Sequence, residues 1–236
     1  NIMLSFRNSI SLPSVKKEFT DDWSLSFDGV DDTVVLKSAF TAVTHSISFW
    51  VKVGDGTGNR AIFDGRDGSN DGIFIYTPTN DKINYKISSG ASLVQTTAIL
   101  EDWQHIVCTY DGTTQKLYVN GDLDASQELT AGVSTTTPAR IGSKSFSSGT
   151  YWLGLIDDFA LFGTELTEAE VTQIYNSGEP FQLNCNHANY VSARYLQGYY
   201  IFENESGGTD TDIINDYSPL NNYGTKSGTT FSSDTP

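Results

Sequence analysis

The chain has 236 residues, a length that all-β sandwiches commonly use as one domain. Its 14 Lys and Arg residues against 29 Asp and Glu residues give a formal net charge of −15, so phosphate neutralisation cannot drive binding and we expect no nucleic-acid partner. Divalent cations and neutral glycans suit such a surface better. No run approaches the roughly 18 apolar residues of a membrane span, which predicts no membrane insertion.

The first predicted elements are an arm and two strands. Residues 1–20 show little periodicity and lack the apolar run of a secretion signal, and we expect this arm to make contacts outside the main fold. Residues 24–28 alternate apolar and polar side chains, as a half-buried strand does. Residues 47–53 continue this alternation over a longer run, which predicts a central strand with Trp50 on the face opposite to Ile47.

A three-stranded meander is predicted next. Residues 105–110 and 116–119 alternate apolar and polar side chains, and the turn residues at 111–114 join them. Asn120 and Gly121 follow, a dipeptide that favours a two-residue hairpin. We therefore expect three antiparallel neighbouring strands here.

The one predicted helix covers residues 168–176. Thr167 and Glu170 have the spacing of a capping box at its start, and Gly178 follows its end. Nearly all other patterned segments, including the long run at 151–162, favour strands separated by Gly, Asp and Asn turns. The 21 Gly, 12 Tyr and 13 Phe residues agree with this interpretation. The sequence predicts an all-β fold, an antiparallel β-sandwich with one short helix.

Five segments in this order, together with the capped helix, resemble the laminin-G-like members of the concanavalin A-like lectin/glucanase superfamily. The segments are SLSFDGVDD at 24–32, ISFWVK at 47–52, WQHIV at 103–107, YDGTT at 110–114 with LYVNG at 117–121, and GLIDDF at 154–159. The resemblance implies a jelly-roll sandwich of two curved antiparallel sheets, a fold that serves glycan binding, adhesion, accessory modules of secreted enzymes and structural roles. The layout is also similar to laminin-G-like structural proteins of marine bacteriophages.

The predicted organisation is an arm at 1–20, a laminin-G-like sandwich at 21–180 and a C-terminal segment at 181–236. Residues 195–231 resemble the opening segment of a laminin-G-like module, which normally precedes the strand at 24–32 and here follows it. Because a lone two-stranded segment is marginal in water, it needs a sheet to cover it. Three arrangements are open: completion of its own sandwich, which we favour, addition to the edge of a neighbouring copy, or the start of a second module.

The sequence predicts no catalysis. Glycosidases need two carboxylates that flank the scissile bond, and the strand signature that carries them in the resembled family is absent. Glu203 and Glu205 lie two residues apart but border a Ser-Gly-Gly turn, which indicates a solvated loop. His45, His105 and His187 lie in unrelated contexts, and we interpret His105 as a surface residue of its strand.

The two cysteines lie in different kinds of segment, Cys108 in a predicted core strand and Cys185 in a polar connection. One pair is too few for a disulfide framework, so we expect two separate thiols rather than a bridge. The cysteines therefore indicate neither an oxidising nor a reducing compartment.

An acidic side chain on a buried strand face is the main indication of a metal site. Alternation places Asp157 on the core side of its strand with Leu155 and Phe159, where an unpaired charge is costly. Asp157 therefore needs a partner, which is either a cation or Arg140 and turn amides. Oxygen-rich clusters suit Ca²⁺, and the resemblance implies calcium near such motifs. We predict one calcium ion at a sandwich edge, with the candidate ligands Asp28, Asp31, Asp32, Asp157 and Asp216.

Trp50 is the candidate contact for a glycan or a protein partner. It faces away from the core side of its strand, so it is either presented to a ligand or covered by the helix or a terminal extension. Coverage is the interpretation that we favour.

These features predict a non-catalytic structural or interaction protein of an extracellular assembly, specifically a phage virion component such as a capsid decoration or tail-associated protein. Its partners would be other virion or assembly proteins, including copies of itself, and its location would be extracellular or in the virion. The alternative is a carbohydrate-binding or adhesion module that takes surface glycans. A glycosidase is the third hypothesis.

Overall fold

The residues described by the computed structural model are 21–55, 58–78, 82–90, 92–96, 101–145, 149–204 and 212–236. The predicted arm at 1–20 and its contacts lie outside them. The described residues form two eight-stranded antiparallel sheets, with one continuous hydrophobic core packed between them. The predicted all-β antiparallel sandwich is confirmed.

Each sheet draws its strands from distant parts of the chain. The first sheet has the spatial order β10 (Asp122–Glu128), β9 (Thr114–Val119), β8 (Gln104–Tyr110), β3 (His45–Val53), β12 (Leu153–Phe162), β1 (Ser24–Asp28) and β16 (Thr230–Ser232), with β13 (Leu196–Tyr200) also paired to β12. The second sheet has the order β14 (Ile213–Ile214), β15 (Gly224–Ser227), β2 (Thr33–Leu36), β11 (Arg140–Ile141), β4 (Arg60–Asp64), β5 (Ile73–Thr77), β6 (Asn84–Ile87) and β7 (Leu93–Val94).

Helix α1 (Glu168–Tyr175) covers the outer face of the first sheet. The predicted capping box is present at its start, where the Thr167 side chain accepts a hydrogen bond from the Glu170 amide and the Glu170 carboxylate accepts one from the Thr167 amide. Val171 and Ile174 are buried and pack with side chains of β8, β9 and β12 in a second apolar cluster. No helix in the described part of the chain is long and apolar enough to cross a membrane.

Strand β12 changes partner halfway along one of its edges. It pairs with β1 as far as Ile156 and with β13 from Phe159 onwards, while β3 runs along its other edge. At the change of partner, Asp157 and Asp158 lie in a β-bulge, and Asp158 has a positive φ of 44°. We call this place, between the start of β1 and the end of β13, the β12 junction.

The bulge shifts the alternation of side chains along β12. Ile156, Phe159 and Leu161 are fully buried between the sheets. Asp157 pairs in register with Trp50 and therefore lies on the other face of the first sheet, the one that α1 covers. The predicted position of Asp157 on the core side is wrong, because the bulge inserts one extra residue that an unbroken alternation does not anticipate.

The C-terminal segment supplies strands to both sheets of its own chain. β13 pairs with β12, β16 pairs with β1, and β15 pairs with β2. Tyr199 and Tyr200 of β13 are buried, and Tyr200 Oη donates a hydrogen bond of 2.6 Å to the Asn222 carbonyl. Both cysteines are free, with Cys108 buried and Cys185 exposed.

His45 is a fully buried polar residue at the start of β3. Its Nε2 lies 2.6 Å from Tyr85 Oη, and its Nδ1 lies 3.0 Å from the Ala42 carbonyl oxygen. Burial lowers the pKa of His45 to about 4. In the unfolded chain the pKa returns to its ordinary value of about 6.5.

Acidification is expected to destabilise the wild-type protein relative to a His45→Gln variant. Between about pH 6.5 and pH 4 the unfolded chain holds a proton on His45 that the folded chain lacks, so the free energy of unfolding falls as the pH falls. The stability advantage of the wild type over the variant, measured by thermal melting from about pH 7 downwards, should therefore shrink. His187→Gln, at an exposed histidine, is the control variant for the loss of an imidazole. A difference between wild type and His45→Gln that stays constant with pH would contradict the assignment.

Candidate functional site

The outer face of the second sheet carries a continuous row of side chains, one from each of seven neighbouring strands. Register pairs place the row in the order Ile213, Thr225, Val35, Arg140, Asp64, Phe74 and Lys86. The neighbours of these residues along the strands, such as Val34, Ile141 and Phe63, are fully buried in the core. A second row beside the first contains Ala61, Tyr76, Asn84 and Val94. These two rows form the outer face of the second sheet.

Two stacked aromatic rings lie at the centre of this face. Phe74 and Tyr76 are two residues apart on β5, with ring centroids 4.4 Å apart and planes inclined by 9°. Phe74 is nearly covered, whereas Tyr76 is half-buried and its Oη lies 3.4 Å from Ser92 Oγ. Tyr76 is therefore the more exposed member of a stacked aromatic pair, with a polar group at the edge of its ring.

A buried ion pair fixes the loop beside these rings. The Arg66 guanidinium lies 3.7 Å from the centroid of the Phe74 ring. It binds Asp64 in a bidentate manner, with Nε to Oδ1 and Nη2 to Oδ2 both at 2.8 Å. The Ser145 amide donates to the same Asp64 carboxylate at 3.0 Å. Both oxygens of Asp64 are thus used, and the pair holds the loop after β4 against the aromatic centre.

Three further cations surround the same centre. Arg140 and Lys86 lie in the row on either side of Asp64 and Phe74, and Lys144 Nζ lies 5.6 Å from the Phe74 ring centroid. Partial burial lowers the pKa of Lys144, and the charge of Arg66 adds to the effect. The face therefore combines an aromatic platform with positively charged side chains.

Trp50 does not lie on this face. It is 3% exposed, and its ring lies 5.0 Å from His105 and 5.9 Å from Tyr175 at the end of α1. The helix thus covers Trp50, as the favoured interpretation of the sequence expects, and a glycan has no access to it. His105 is also buried, with Nε2 2.9 Å from Ser48 Oγ, so the interpretation of His105 as a surface residue is wrong because α1 covers that face of the strand.

The first three predicted calcium ligands lie together. Carboxylate oxygens of Asp28, Asp31 and Asp32 lie within 4.8 Å of one another in the turn after β1. Asp32 Oδ2 accepts a hydrogen bond of 2.7 Å from the Asp28 amide, and Asp28 Oδ1 accepts one of 2.8 Å from the Val30 amide. Burial raises the pKa of Asp32, and the charges of Asp28 and Asp31 contribute to the rise. Turn amides already satisfy part of this cluster.

Asp157 belongs to a different cluster, at the β12 junction, with Asp21 and Asp158. Asp28 pairs in register with Leu153, four residues before Asp157 and hence about 13 Å away along the strand. Tyr199 Oη donates to Asp158 Oδ1 at 3.1 Å, and the Asp158 amide donates to Asp157 Oδ1 at 2.8 Å. The other oxygens, Oδ2 of Asp157, Oδ2 of Asp158 and both oxygens of Asp21, are buried and accept no hydrogen bond from an amide, hydroxyl or cationic group of the described residues, and the carboxyls of Asp21 and Asp157 contact each other.

Burial is the main cause of the raised pKa values in this junction cluster. It raises the pKa of Asp21 to about 7, while contact with the Asp157 carboxyl opposes the rise. Burial also raises the pKa of Asp157, to which the charges of Asp158 and Asp21 add. The predicted alternative of a pair with Arg140 is wrong, because Arg140 lies in the other sheet opposite Asp64. Carboxyl oxygens of this kind are Ca²⁺ ligands in chemical type, although within the described residues the group whose oxygens all lie within 4.8 Å of one another is Asp28, Asp31 and Asp32.

Asp216 holds a loop and is separate from both clusters. Its Oδ1 accepts from the amides of Tyr199 and Ser218, at 2.9 and 2.8 Å. Its Oδ2 accepts from Ser218 Oγ and the Asn222 amide, at 2.7 and 2.6 Å. The five predicted ligands therefore do not converge on one point, and the single site predicted from the sequence is wrong in its geometry.

Sequence reasoning missed the aromatic face and two members of the junction cluster. The alternation in IFIYT at 73–77 places Phe74 and Tyr76 opposite to the core residues, which is a usable signal. The positions of Asp21 and Asp158 depend on a bulge and on a change of strand partner, for which the sequence carries no local signal.

Comparison with known proteins identifies the fold. Residues 28–172 match the model of a laminin-G family described as the concanavalin A-like lectin/glucanases superfamily. No curated protein matches the chain in sequence. A candidate carbohydrate-binding protein from Bacteroides ovatus is similar over 89% of this chain, with a TM-score of 0.69 and 17% identity, and this chain covers 59% of it.

Two other solved structures share the fold at similar sequence identity and lower TM-scores. The native heptameric SAP-like pentraxin of Limulus polyphemus matches 67% of this chain and 84% of its own, with 16% identity and a TM-score of 0.54. Domain 4 of the extracellular arabinanase AbnA from Geobacillus stearothermophilus, in complex with arabinotriose, matches 64% of this chain and 76% of its own, with 19% identity and a TM-score of 0.50. At these identities the likeness concerns the fold alone.

Proposed function

The chain belongs to the concanavalin A-like lectin/glucanase superfamily, and on this premise we propose that it is a carbohydrate-binding module. The glycan lies on the outer face of the second sheet, across Tyr76. The stacked pair of Phe74 and Tyr76 carries the proposal, since a flat ring with polar groups at its edge suits the apolar faces and hydroxyl edges of sugar rings.

Two of the similar structures support this function. One is a candidate carbohydrate-binding protein, and the other is an arabinanase domain in complex with arabinotriose. Because the identities are only 17% and 19%, these structures support carbohydrate binding as one use of this fold and do not identify the residues that bind. None of the similar structures described above is a virion component, so the phage role and the extracellular or virion location stay predictions, which mass spectrometry of purified particles would test.

The proposed role is non-catalytic. The two rows of the outer face contain one carboxylate, Asp64, and both of its oxygens are bound by Arg66 and the Ser145 amide. A glycosidase needs a second carboxylate about 5–10 Å from the first. Glu203 accepts a hydrogen bond of 2.8 Å from the Asp22 amide beside the first sheet, and Glu205 lies outside the described residues.

Replacing Tyr76 by alanine is expected to weaken glycan binding without unfolding the protein. The variant removes the half-buried ring of Tyr76 and leaves Phe74 in place, so it should reduce affinity for the ligand more than it reduces the stability of the fold. We expect binding to a glycan that the wild type selects on an array to weaken by about tenfold or more, which corresponds to about 1.4 kcal/mol. Isothermal titration calorimetry with the selected glycan would measure the change.

The matched control is Tyr195→Ala. Tyr195 is also a partly exposed tyrosine, 38% exposed, but it precedes β13 beside the first sheet. This variant should bind the glycan as the wild type does. An array without any selective binding by the wild type, or equal binding by Tyr76→Ala at an unchanged melting temperature, would contradict the proposed function.

A further inference from the structure

We propose that the glycan is an acidic polysaccharide, bearing uronate or sulfate groups, and that Lys86, Arg140 and Lys144 bind its anionic groups. This inference rests on the proposed function and names the class of sugar that the outer face of the second sheet selects.

The placement of the cations on both sides of the aromatic centre is the first argument. Arg140, Asp64, Phe74 and Lys86 belong to four successive strands, β11, β4, β5 and β6. At about 4.8 Å between strands, Arg140 and Lys86 lie about 14 Å apart, with the aromatic rings between them. Lys144 lies over the middle, 5.6 Å from the Phe74 ring centroid. A chain of sugars stacked on Tyr76 therefore passes Lys144 near its middle, and Arg140 and Lys86 on its two sides.

The balance of charge on this face is the second argument. Arg66 is neutralised by its bidentate contact with Asp64, whereas Lys86, Arg140 and Lys144 make no ion pair among the described residues. Three uncompensated positive charges thus share one face of a chain whose formal net charge is −15. At physiological ionic strength the Debye length is about 8 Å, so a ligand on this face experiences mainly the local positive charge.

A glycan fits this face better than a nucleic acid does. Duplex DNA carries one charge per roughly 1.7 Å of its axis, a charge density that the three cations of this face cannot neutralise. An acidic polysaccharide carries about one charge per sugar and offers hydroxyl groups between charges. Polar groups for such hydroxyls lie at the edge of Tyr76, where Ser92 Oγ is 3.4 Å from the Tyr76 Oη.

The test compares acidic and neutral polysaccharides on the full chain. Polygalacturonate provides uronate groups, dextran sulfate provides sulfate groups, and dextran, laminarin and arabinan provide neutral sugars. We expect at least one acidic probe to bind about tenfold more tightly than any neutral one, with affinity falling as NaCl is raised. Which acidic probe binds distinguishes uronate from sulfate recognition.

Variants then assign the binding to this face. The double variant Lys86→Gln with Arg140→Gln should weaken acidic-probe binding by about tenfold or more at an unchanged melting temperature, since neither side chain makes an ion pair with another described residue. Lys37→Gln, which removes an exposed lysine at the end of β2 that lies over Tyr223, is the control and should bind as the wild type does.

Each alternative result has a distinct meaning. Binding of neutral probes alone would overturn the acidic class and leave the carbohydrate-binding function standing. A wild type that binds none of the polysaccharides would sink both proposals together. Equal binding of polyphosphate or single-stranded DNA would show recognition of charge rather than of sugar and would overturn the inference, as would acidic-probe binding that the double variant retains.

Discussion

A chain that ends at Asn184 is expected to lose the cooperative fold of the sandwich. The truncation removes β13 from beside β12, β15 from beside β2 and β16 from beside β1, so both sheets lose strands. It also removes the buried side chains of Tyr199, Tyr200 and Phe202, and it opens core residues such as Phe159 to water. We expect an insoluble or molten product without a sharp thermal transition by circular dichroism.

A shorter truncation is the graded control for this experiment. A chain that ends at Ser227 loses β16 and also Asp234, whose carboxylate accepts hydrogen bonds from Lys52 Nζ at 2.8 Å and Trp103 Nε1 at 2.9 Å. It keeps β13 and β15, so it should fold with a lowered melting temperature. A soluble product ending at Asn184 with an unchanged melting temperature would show that the segment is an appendage. A folded product that loses only self-association would indicate donation to a neighbouring copy.

Features set by adjacent residues were predictable from the sequence. The capping box of Thr167 and Glu170 depends on two side chains three positions apart, and it starts α1 as predicted. Asn120 and Gly121 both adopt positive φ, at 51° and 84°, which is the conformation that this dipeptide favours in a tight hairpin. In both cases the physical cause lies within a few residues of the effect.

Features set by pairing between distant strands were not predictable in this way. Asp157 was assigned to the core side because alternation assumes an unbroken strand, and the bulge arises only where β12 passes from β1 to β13. Arg140 joins Asp64 and Phe74 because β11 pairs with β4, a neighbour far away in the chain. The alternation of β5 could show that Phe74 lies outward, but it could not show which charges would surround it.

Calcium is expected to raise the melting temperature through the carboxylates of the β12 junction. Burial raises the pKa values of Asp21, Asp157 and Asp158, so each of these neighbouring groups holds a proton or carries an unfavourable charge, and a divalent cation that replaced the protons would offset the charges. The turn at Asp28 and Asp32 has less need of an ion, because turn amides already donate to its oxygens. At a hundredfold excess over the dissociation constant, binding would stabilise the fold by about 2.7 kcal/mol. EDTA should remove this gain, and added Ca²⁺ should restore it.

The dependence on pH follows from the raised pKa values at the junction. The pKa of Asp21 in the folded protein is about 7, against an ordinary value of about 3.9 in the unfolded chain. Between these values the folded state holds more protons than the unfolded state, so without calcium the contribution of Asp21 to stability is present at low pH and is lost as the pH rises through about 7. Calcium must displace these protons, so its stabilising effect should be larger at about pH 8 than at about pH 5.5.

The effect of the Asp158→Asn substitution on the melting temperature should change sign when calcium is added. The variant replaces a buried carboxyl, whose ionisation burial makes unfavourable, with a neutral amide that keeps an oxygen to accept the Tyr199 hydroxyl, so in EDTA at about pH 8 its melting temperature should exceed that of the wild type. In excess Ca²⁺ the wild type should melt higher, because the variant lacks a ligand. Asp31→Asn, in the exposed turn, is the matched control and should respond to calcium as the wild type does. If Asp31→Asn alone loses the calcium response, the ion is held at the turn after β1; if neither the wild type nor the variants respond, the junction is a group of protonated buried acids.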